Sequence, residues 1–328
     1  MTARYAKDQP TGFVNHIRKV AIVGANGRIG KVLTEHILRA GQHEVTAITR
    51  IGSSSILPLG VMAVVVDYNN EPSLVSALSG QDFLIITLSV TAAPDAHSRL
   101  VKAAAKAGVP YIMPNAYGLN FYDSESIRRD IPVTQYAYDN IAEVKQLGLK
   151  CIALIVGFWY EYSLTTTENM FGFDLKNRKV TMFDDGKKAI PTSTWAQCGR
   201  AVAALLSMKK FPDDESDKSV ALSRFHDRPA FVSSFNVSQR DILNSVERVT
   251  GTDDVDWEIK YQPAKVRYEE GRKELAESNA MGFYKMMFSR VFYATGDADF
   301  ESDNQLLGLL EDDLDEATAN AMEIMNET

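Results

Sequence analysis

Three glycines, spaced three residues apart, constrain this chain more than any other feature. The run from Val20 to Gly30 reads Val-Ala-Ile-Val-Gly-Ala-Asn-Gly-Arg-Ile-Gly and passes from an apolar strand straight into an amphipathic helix. Because glycine has no Cβ, the backbone can turn tightly and touch an anion, towards which the helix directs free N–H groups and the positive end of its dipole. The run therefore predicts the pyrophosphate-binding turn of a dinucleotide site. The residues predicted to form this turn are Gly24, Asn26, Gly27, Arg28, Ile29 and Gly30.

Strands and helices alternate through the first half of the chain. The apolar run before the glycines is nearly continuous, which is typical of a central parallel strand covered on both faces. The predicted strands span residues 17–23, 44–49, 63–66, 83–88, 109–113 and 151–156, and the helices span 28–40, 72–78, 94–107 and 133–147. This alternation predicts an α/β fold with a Rossmann-like, doubly wound parallel sheet over residues 17–157. Residues 1–16 are expected to form a polar leader.

The alternation fails in the second half, and we expect residues 158–328 to form a smaller, mixed substrate-binding lobe that closes over the carboxyl edge of the sheet. The elements predicted there are a strand at 179–183, helices at 194–207 and 239–250, and one long helical stretch at 267–290. The acidic C-terminal end, residues 297–328, holds eleven acidic residues and no Lys or Arg. We expect it to be a solvated helix face or a mobile tail.

Composition excludes several classes of function. The net charge is −8 and no basic stripe is visible, so nucleic-acid binding is not expected. No run approaches the ~18 apolar residues of a membrane helix and no signal peptide is evident, which predicts a cytoplasmic protein. Cys151 and Cys198 lack the spacing of metal ligands, so we expect reduced, buried thiols and no metal. The expected partner is a small molecule, and a homodimer is left open.

The end of the second strand indicates which cofactor binds. An acid there would favour NAD, whereas arginine accommodates the 2′-phosphate of NADP. This chain has Thr49 and Arg50 at that point, twenty residues after Gly30. We predict NADP(H), the alternative being that Arg50 is an exposed arginine that serves only solubility. By the topology of such sheets, further cofactor contacts are predicted at Asp67, Leu88, Ser89, Val90 and Asn115.

Two further segments carry a family resemblance. Tyr111 to Gly118 reads Tyr-Ile-Met-Pro-Asn-Ala-Tyr-Gly, and Val156 to Trp159 reads Val-Gly-Phe-Trp. Together with the glycine turn and Arg50, they resemble the NmrA-like, isoflavone-reductase-like family of atypical short-chain dehydrogenase/reductases, and fungal CipA-type members most closely. The resemblance implies NADPH-dependent reduction of aromatic or polyketide-like molecules in secondary metabolism. NmrA itself senses the cofactor without catalysis, so the resemblance also implies such a role as an alternative for this chain.

The catalytic residues of the family are only partly matched by this chain. The plant reductases carry a catalytic lysine at a position that, counted back from Gly148, falls near Ala137 here. Lys145 lies eight residues further on, about 12 Å along the helix axis, and the helix holds no Tyr-x-x-x-Lys pair. A reduction still needs a proton donor. The candidates are a water or a tyrosine, with Tyr138 favoured and Tyr136, Tyr117 and Tyr160 as the other tyrosines.

An aromatic cluster follows the sixth predicted strand. Phe158, Trp159 and Tyr160 stand where substrate would enter, which suits a flat aromatic ligand, although they could equally form a core between the lobes. We therefore predict an NADPH-dependent oxidoreductase that acts on a hydrophobic small molecule. Two alternatives remain at this stage, namely an NADP(H)-sensing regulatory protein and a redox-neutral enzyme that uses the bound cofactor as a template.

Overall fold

Six parallel strands form the main sheet of the computed structural model, which describes residues 5–53, 56–89, 91–226 and 228–327. These strands are β1 (Lys19–Val23), β2 (Glu44–Arg50), β3 (Met62–Val66), β4 (Phe83–Ile86), β5 (Tyr111–Met113) and β6 (Lys150–Cys151). Their order across the sheet is β3-β2-β1-β4-β5-β6. The strand order reverses between β1 and β4, which is where doubly wound sheets bind their ligands. The predicted Rossmann-like α/β fold is confirmed.

Helices cover both faces of this sheet because successive strand residues point to opposite sides. On β1, Val20 and Ile22 pack into the same apolar cluster as Leu33 of the first helix. Ala21 and Val23 pack into the cluster on the other face. The helices of this half are α1 (Arg28–Ala40), α2 (Glu71–Leu78), α3 (Ala96–Ala107), α4 (Glu125–Asp130) and α5 (Pro132–Gln146).

Within the described residues, short strands and six α-helices make up the second half. The strands are β7 (Leu154–Ile155), β8 (Phe158–Trp159), β9 (Phe173–Asp174), β10 (Lys179–Phe183), β11 (Ile190–Ser193), β12 (Ala230–Phe231), β13 (Phe235–Val237) and β14 (Glu258–Gln262). The helices are α6 (Tyr160–Thr165), α7 (Trp195–Ser207), α8 (Gln239–Thr250), α9 (Ala264–Ala276), α10 (Met281–Val291) and α11 (Leu314–Glu327). Small sheets join β14-β10-β9, β13-β11-β8 and β12-β7. None of the helices in the described ranges is long and apolar enough to cross a membrane.

Packing crosses the boundary that the sequence places between residues 157 and 158. Helix α7 lies against α1, so closely that a Cβ on Gly199 would overlap the ring of His36. It thereby covers the same face of the main sheet as α1. The N-terminal segment also packs, since Phe13 contacts Phe211 with ring centroids 6.0 Å apart. Residues 1–4 of the predicted leader lie outside the described residues, and the domain division itself stays a prediction.

Two predicted elements are wrong in their extent. The helical stretch expected at 267–290 is two helices, α9 and α10, which fold back on each other. Gly271 and Gly282 lie at their contact, where a Cβ on either would overlap the opposite helix. The strand expected at 151–156 is divided, because Cys151 pairs with β5 whereas Leu154 and Ile155 pair with β12. The hydrophobic periodicity of the sequence shows neither feature. It does not mark glycines at which two helices cross, and it does not show where a strand changes its pairing partner.

The acidic C-terminal end is not a mobile tail, because its carboxylates form ion pairs with the rest of the molecule. Asp303 pairs with Arg228, Asp312 with Arg200, and Asp315 with Arg248 at 2.7 Å. Helix α11 packs on α6 and α8 and buries Ala317 and Ala321. Partners distant in sequence therefore hold this acidic end on the molecule.

Candidate functional site

The glycine turn between β1 and α1 packs tightly against the end of β4. Gly24 has a φ of +82°, and a Cβ on it would overlap the main-chain oxygen of Thr87. A Cβ on Gly30 would overlap the main-chain oxygen of Gly24. The hydroxyl of Thr87 donates to the Val23 oxygen at 2.7 Å, which fixes the position of Thr87. Glycine is therefore required at both positions by close contact.

The N-terminus of α1 is free to bind an anion. Gly27 is the N-cap residue and supplies no side-chain cap, and the first turn contains no acidic residue. The first N–H groups of a helix have no partner within the helix, so a phosphate can accept from them. Asn26 and Arg28 are exposed on this turn. The residues present thus fit the diphosphate of a dinucleotide.

Arg50 lies at the carboxyl end of β2 and is exposed. Within the described residues it forms no ion pair, so its charge is available to a phosphate. Tyr68, after β3, lies close to it: burial raises the pKa of Tyr68 to about 12, and the Arg50 charge partly opposes this. Asp67 accepts from the Asn69 N–H at 2.8 Å, and Thr49 donates to the Val64 oxygen at 3.4 Å. The residues predicted to bind the adenosine therefore lie at the adjacent carboxyl ends of β2 and β3.

A chain of amide hydrogen bonds joins the loops after β4 and β5. The Asn115 side chain accepts from the Leu88 N–H at 3.0 Å and donates to the Leu88 oxygen at 3.4 Å. Asn140 of α5 donates to the Asn115 oxygen at 3.2 Å. Ser89 hydrogen-bonds Thr91 at 2.9 Å, and Val90 lies outside the described residues. This network fixes the edge of the sheet that would face the nicotinamide, and sequence analysis did not assign Asn140 to it.

Two candidate proton donors on α5 point away from this network. Tyr136 is 71% exposed on the protein surface. Tyr138 packs under the guanidinium of Arg128, 4.4 Å from its ring centroid, and beside Tyr122. Residues two apart on a helix are about 200° apart in direction, so Tyr138 and Asn140 lie on different faces. Tyr138 therefore fills the space between α4 and α5.

The other two candidate tyrosines are enclosed. The hydroxyl of Tyr117 is buried without a hydrogen-bond partner among the described residues, and burial raises its pKa. Tyr160 is fully buried, with its hydroxyl 2.6 Å from that of Thr318. Phe158 stacks on Phe288 with centroids 3.8 Å apart in the core. Both side chains pack inside the lobe, as expected for the alternative of a core between the lobes, and the substrate contacts of Phe158 and Tyr160 stay predictions.

Trp159 belongs to a different group of side chains, which we call the aromatic wall and define as Trp159, Tyr162 and Tyr284. The rings of Trp159 and Tyr162 meet edge to face at 6.4 Å, and the hydroxyls of Tyr162 and Tyr284 are 3.3 Å apart. The guanidinium of Arg28 lies 4.4 Å from the Tyr162 ring centroid. The wall therefore stands beside the glycine turn. Tyr162 belongs to the aromatic cluster that follows the sixth predicted strand, but it was not among the residues predicted to contact substrate.

A buried carboxyl group lies behind this wall. Glu161 of α6 is 7% exposed and accepts from the Trp195 N–H at 3.0 and 3.1 Å. Burial raises the pKa of Glu161 to about 7, although the Trp195 N–H stabilises the ionised form. Glu161 thus connects α6, which carries Tyr162, to the first turn of α7. Among the described residues, no group of three or more His, Cys, Asp or Glu is arranged to hold a metal ion.

Comparison with known proteins agrees with this geometry. Residues 24–145 match a family model described as NAD(P)H-binding. This part of the chain is an NAD(P)H-binding domain. Oxidoreductase aprR of Aspergillus flavus is 27% identical over 312 aligned positions, which cover 93% of this chain and 98% of that protein. The similarity to this fungal protein thus extends beyond the NAD(P)H-binding domain and covers nearly the full length of both chains.

Two solved structures share the fold of the NAD(P)H-binding domain and of the second half. An isoflavone reductase superposes with a TM-score of 0.72 at 18% identity, covering 94% of this chain and 99% of that chain. AtPrR2, solved with NADP+ and (+)pinoresinol, gives 0.70 at 17% identity and covers 94% and 100%. The predicted resemblance to NmrA-like, isoflavone-reductase-like proteins is confirmed. At these identities the structures show a common fold.

Proposed function

We propose that this protein is an NADPH-dependent reductase of a hydrophobic small molecule, aromatic or polyketide-like, of the kind found in fungal secondary metabolism. The observation that carries the proposal is the position of the aromatic wall against Arg28 of the glycine turn. A flat apolar ligand that packs on Trp159 and Tyr162 would lie next to the cofactor. Bound NADPH supplies the hydride for such a reduction.

The choice of NADP(H) over NAD(H) is supported by Arg50. Its exposed guanidinium stands at the strand end where the adenosine ribose is bound in this fold, and no acid of the described residues neutralises it. Gly24, Gly27 and the α1 N-terminus would hold the diphosphate. Asp67 would flank the adenine, and Asn115 with Leu88 would support the nicotinamide. The names of the relatives also support a redox function, since aprR is an oxidoreductase and AtPrR2 was solved with NADP+.

The test combines cofactor binding with turnover. Affinities for NADPH, NADP+, NADH and NAD+ are measured from the quenching of tryptophan fluorescence, because Trp159 lies in the wall beside the turn. NADPH oxidation is then followed with a quinone, an enone and an imine as acceptors. We expect tighter binding of NADP(H) and consumption of NADPH with at least one acceptor. Tight NADPH binding without consumption in the whole panel would contradict the reductase.

A cofactor-sensing role is the second candidate, and one observation favours it. The position of the plant reductases' catalytic lysine is expected near Ala137, which packs half-buried against the core and can neither donate nor accept a proton. A sensor would bind NADPH and NADP+ with clearly different affinities and would consume no NADPH. Equal affinities together with turnover would exclude this role.

A further inference from the structure

The structure leaves the proposed reductase without the proton donors that the sequence suggested. Tyr136 is on the surface, Tyr138 is packed under Arg128, and the hydroxyls of Tyr117 and Tyr160 are buried. A donor must come within about 3 Å of the oxygen that it protonates, directly or through one water. A side chain beside the cofactor turn is therefore a further candidate donor for the reduction of a carbonyl or an enone.

Tyr162 has the position that such a donor needs. It lies on α6, in the segment that leaves the sheet beyond β6, and its ring stacks on Arg28 at the start of α1. The dinucleotide in a sheet of this order lies across the carboxyl ends of the strands, with its nicotinamide on the side of β4 and β5. Tyr162 is half-buried, so its hydroxyl is sheltered and still reachable by a ligand.

Tyr284 completes the arrangement from α10. Its hydroxyl is 3.3 Å from the hydroxyl of Tyr162, and this hydrogen bond, followed by burial, raises the pKa of Tyr284. Either hydroxyl can donate in this bond. When Tyr284 donates, Tyr162 keeps its own O–H for a second partner. Among the described residues, two ionisable side chains contact Tyr162. They are Arg28, which lies on its ring, and Tyr284, which lies beside its hydroxyl.

We propose that the hydroxyl of Tyr162 donates the proton taken up by the reduced substrate, and that Arg28 and Tyr284 position this hydroxyl. The inference rests on the proposed reductase function. In the step, the substrate carbonyl gains a hydride at carbon from NADPH and a proton at oxygen from Tyr162. The O–H bond of the phenol breaks and that of the product alcohol forms. The phenolate is held by the Arg28 charge and the Tyr284 hydrogen bond until solvent returns the proton.

Two variants that each remove one hydroxyl test this assignment in the full chain. Tyr162→Phe is expected to lower kcat about 100-fold with unchanged NADP+ affinity, and to abolish the alkaline limb of the pH–kcat profile. Tyr284→Phe keeps the donor, so a smaller loss of kcat and a retained alkaline limb are expected. A binding measurement that needs no turnover uses menadione, a quinone, with enzyme saturated by NADP+. Loss of one hydrogen bond should weaken menadione binding about fivefold in Tyr162→Phe.

The outcomes separate this inference from the proposed function. If the wild type binds NADPH and menadione but oxidises NADPH with none of the quinone, enone and imine acceptors, the reductase proposal fails. In that case, menadione binding that is weaker in Tyr162→Phe than in the wild type would still show that the Tyr162 hydroxyl contacts the bound menadione. Wild-type kcat, pH profile and menadione affinity in Tyr162→Phe would overturn the assignment. Loss of the alkaline limb in Tyr284→Phe alone would overturn it as well, because the proton would then come from Tyr284.

Discussion

The guanidinium of Arg28 lies 4.4 Å from the ring centroid of Tyr162. Arg28 is the first residue of α1 in the NAD(P)H-binding domain, whereas Tyr162 belongs to α6 of the second half. Cation–π contacts of this kind contribute about 0.5 to 2 kcal/mol, depending on how far the pair is desolvated. The contact thus connects the turn that would bind phosphate to the wall that would bind substrate.

Arg28→Ala is expected to weaken the binding of NADP+ and of NAD+ by the same factor, since both cofactors carry the diphosphate that would lie beside α1. A lost charge-assisted hydrogen bond of about 1.5 to 3 kcal/mol corresponds to roughly a tenfold to hundredfold loss of affinity. Fluorescence titration with each cofactor measures it. Lys31→Ala, an exposed cation in the first turns of α1, is the control and should leave both affinities unchanged. A loss confined to NADP+ would instead assign Arg28 to the 2′-phosphate.

Arg50→Ala is expected to weaken NADP+ by roughly tenfold to a hundredfold and to leave NAD+ unaffected, because only NADP+ carries the 2′-phosphate. Isothermal titration of the variant and the wild type with each cofactor gives the ratio of the NADP+ affinity to the NAD+ affinity. Arg39→Ala removes another exposed arginine, at the far end of α1, and controls for net charge. Equal weakening of NADP+ and NAD+ would contradict the assignment of Arg50.

Gly24→Ala and Gly108→Ala form a matched pair, since both glycines have positive φ, at +82° and +78°. Around Gly108 nothing lies within 4 Å of an added Cβ, so the variant loses about 1 to 2 kcal/mol from backbone strain alone. At Gly24 the Cβ also overlaps the Thr87 oxygen, and we expect at least about twice that loss. Urea unfolding measures both. Equal losses would show that the turn can move away from β4.

Glu161→Gln tests the pH dependence of stability. Burial raises the folded-state pKa of Glu161 from 4.5 to about 7, so the folded protein binds an extra proton between these values. The stabilisation from that proton is complete below pH 4.5 and is lost as the pH rises through 7. Glutamine keeps an acceptor for the Trp195 N–H and carries no charge. The variant should therefore gain stability relative to the wild type as the pH rises, up to roughly 3 kcal/mol.

Urea unfolding at several pH values between 5 and 8 measures this difference. Glu44→Gln removes an exposed carboxylate at the start of β2 and controls for the loss of one charge. A difference between Glu161→Gln and the wild type that does not change with pH would mean that Glu161 is solvated in solution.

Local patterns predicted the ends of some helices well in both halves of the chain. The boundaries of α1 and of α8 agree with the structure, because an apolar stripe, a glycine stop and an N-cap residue are all encoded within a few neighbours. Strand ends were less accurate. β4 ends at Ile86 and not at Leu88, since Thr87 and Leu88 turn their hydrogen bonds to Val23 and Asn115. Val23 lies on β1 and Asn115 in the loop after β5, so the periodicity of β4 carries no sign of either partner.

The sequence by itself determined the glycine turn, the doubly wound sheet and the arginine at the end of β2, because spacing and hydrophobic period are local properties. Only the tertiary structure decided which aromatic side chains stand beside that turn. Tyr162 and Tyr284 are 122 residues apart, and their contact depends on how α10 folds back on α9. Likewise, Tyr160 and Tyr162 lie two residues apart on α6 and differ in their surroundings. The direction in which α6 packs buries the ring of Tyr160 and turns the ring of Tyr162 towards Arg28.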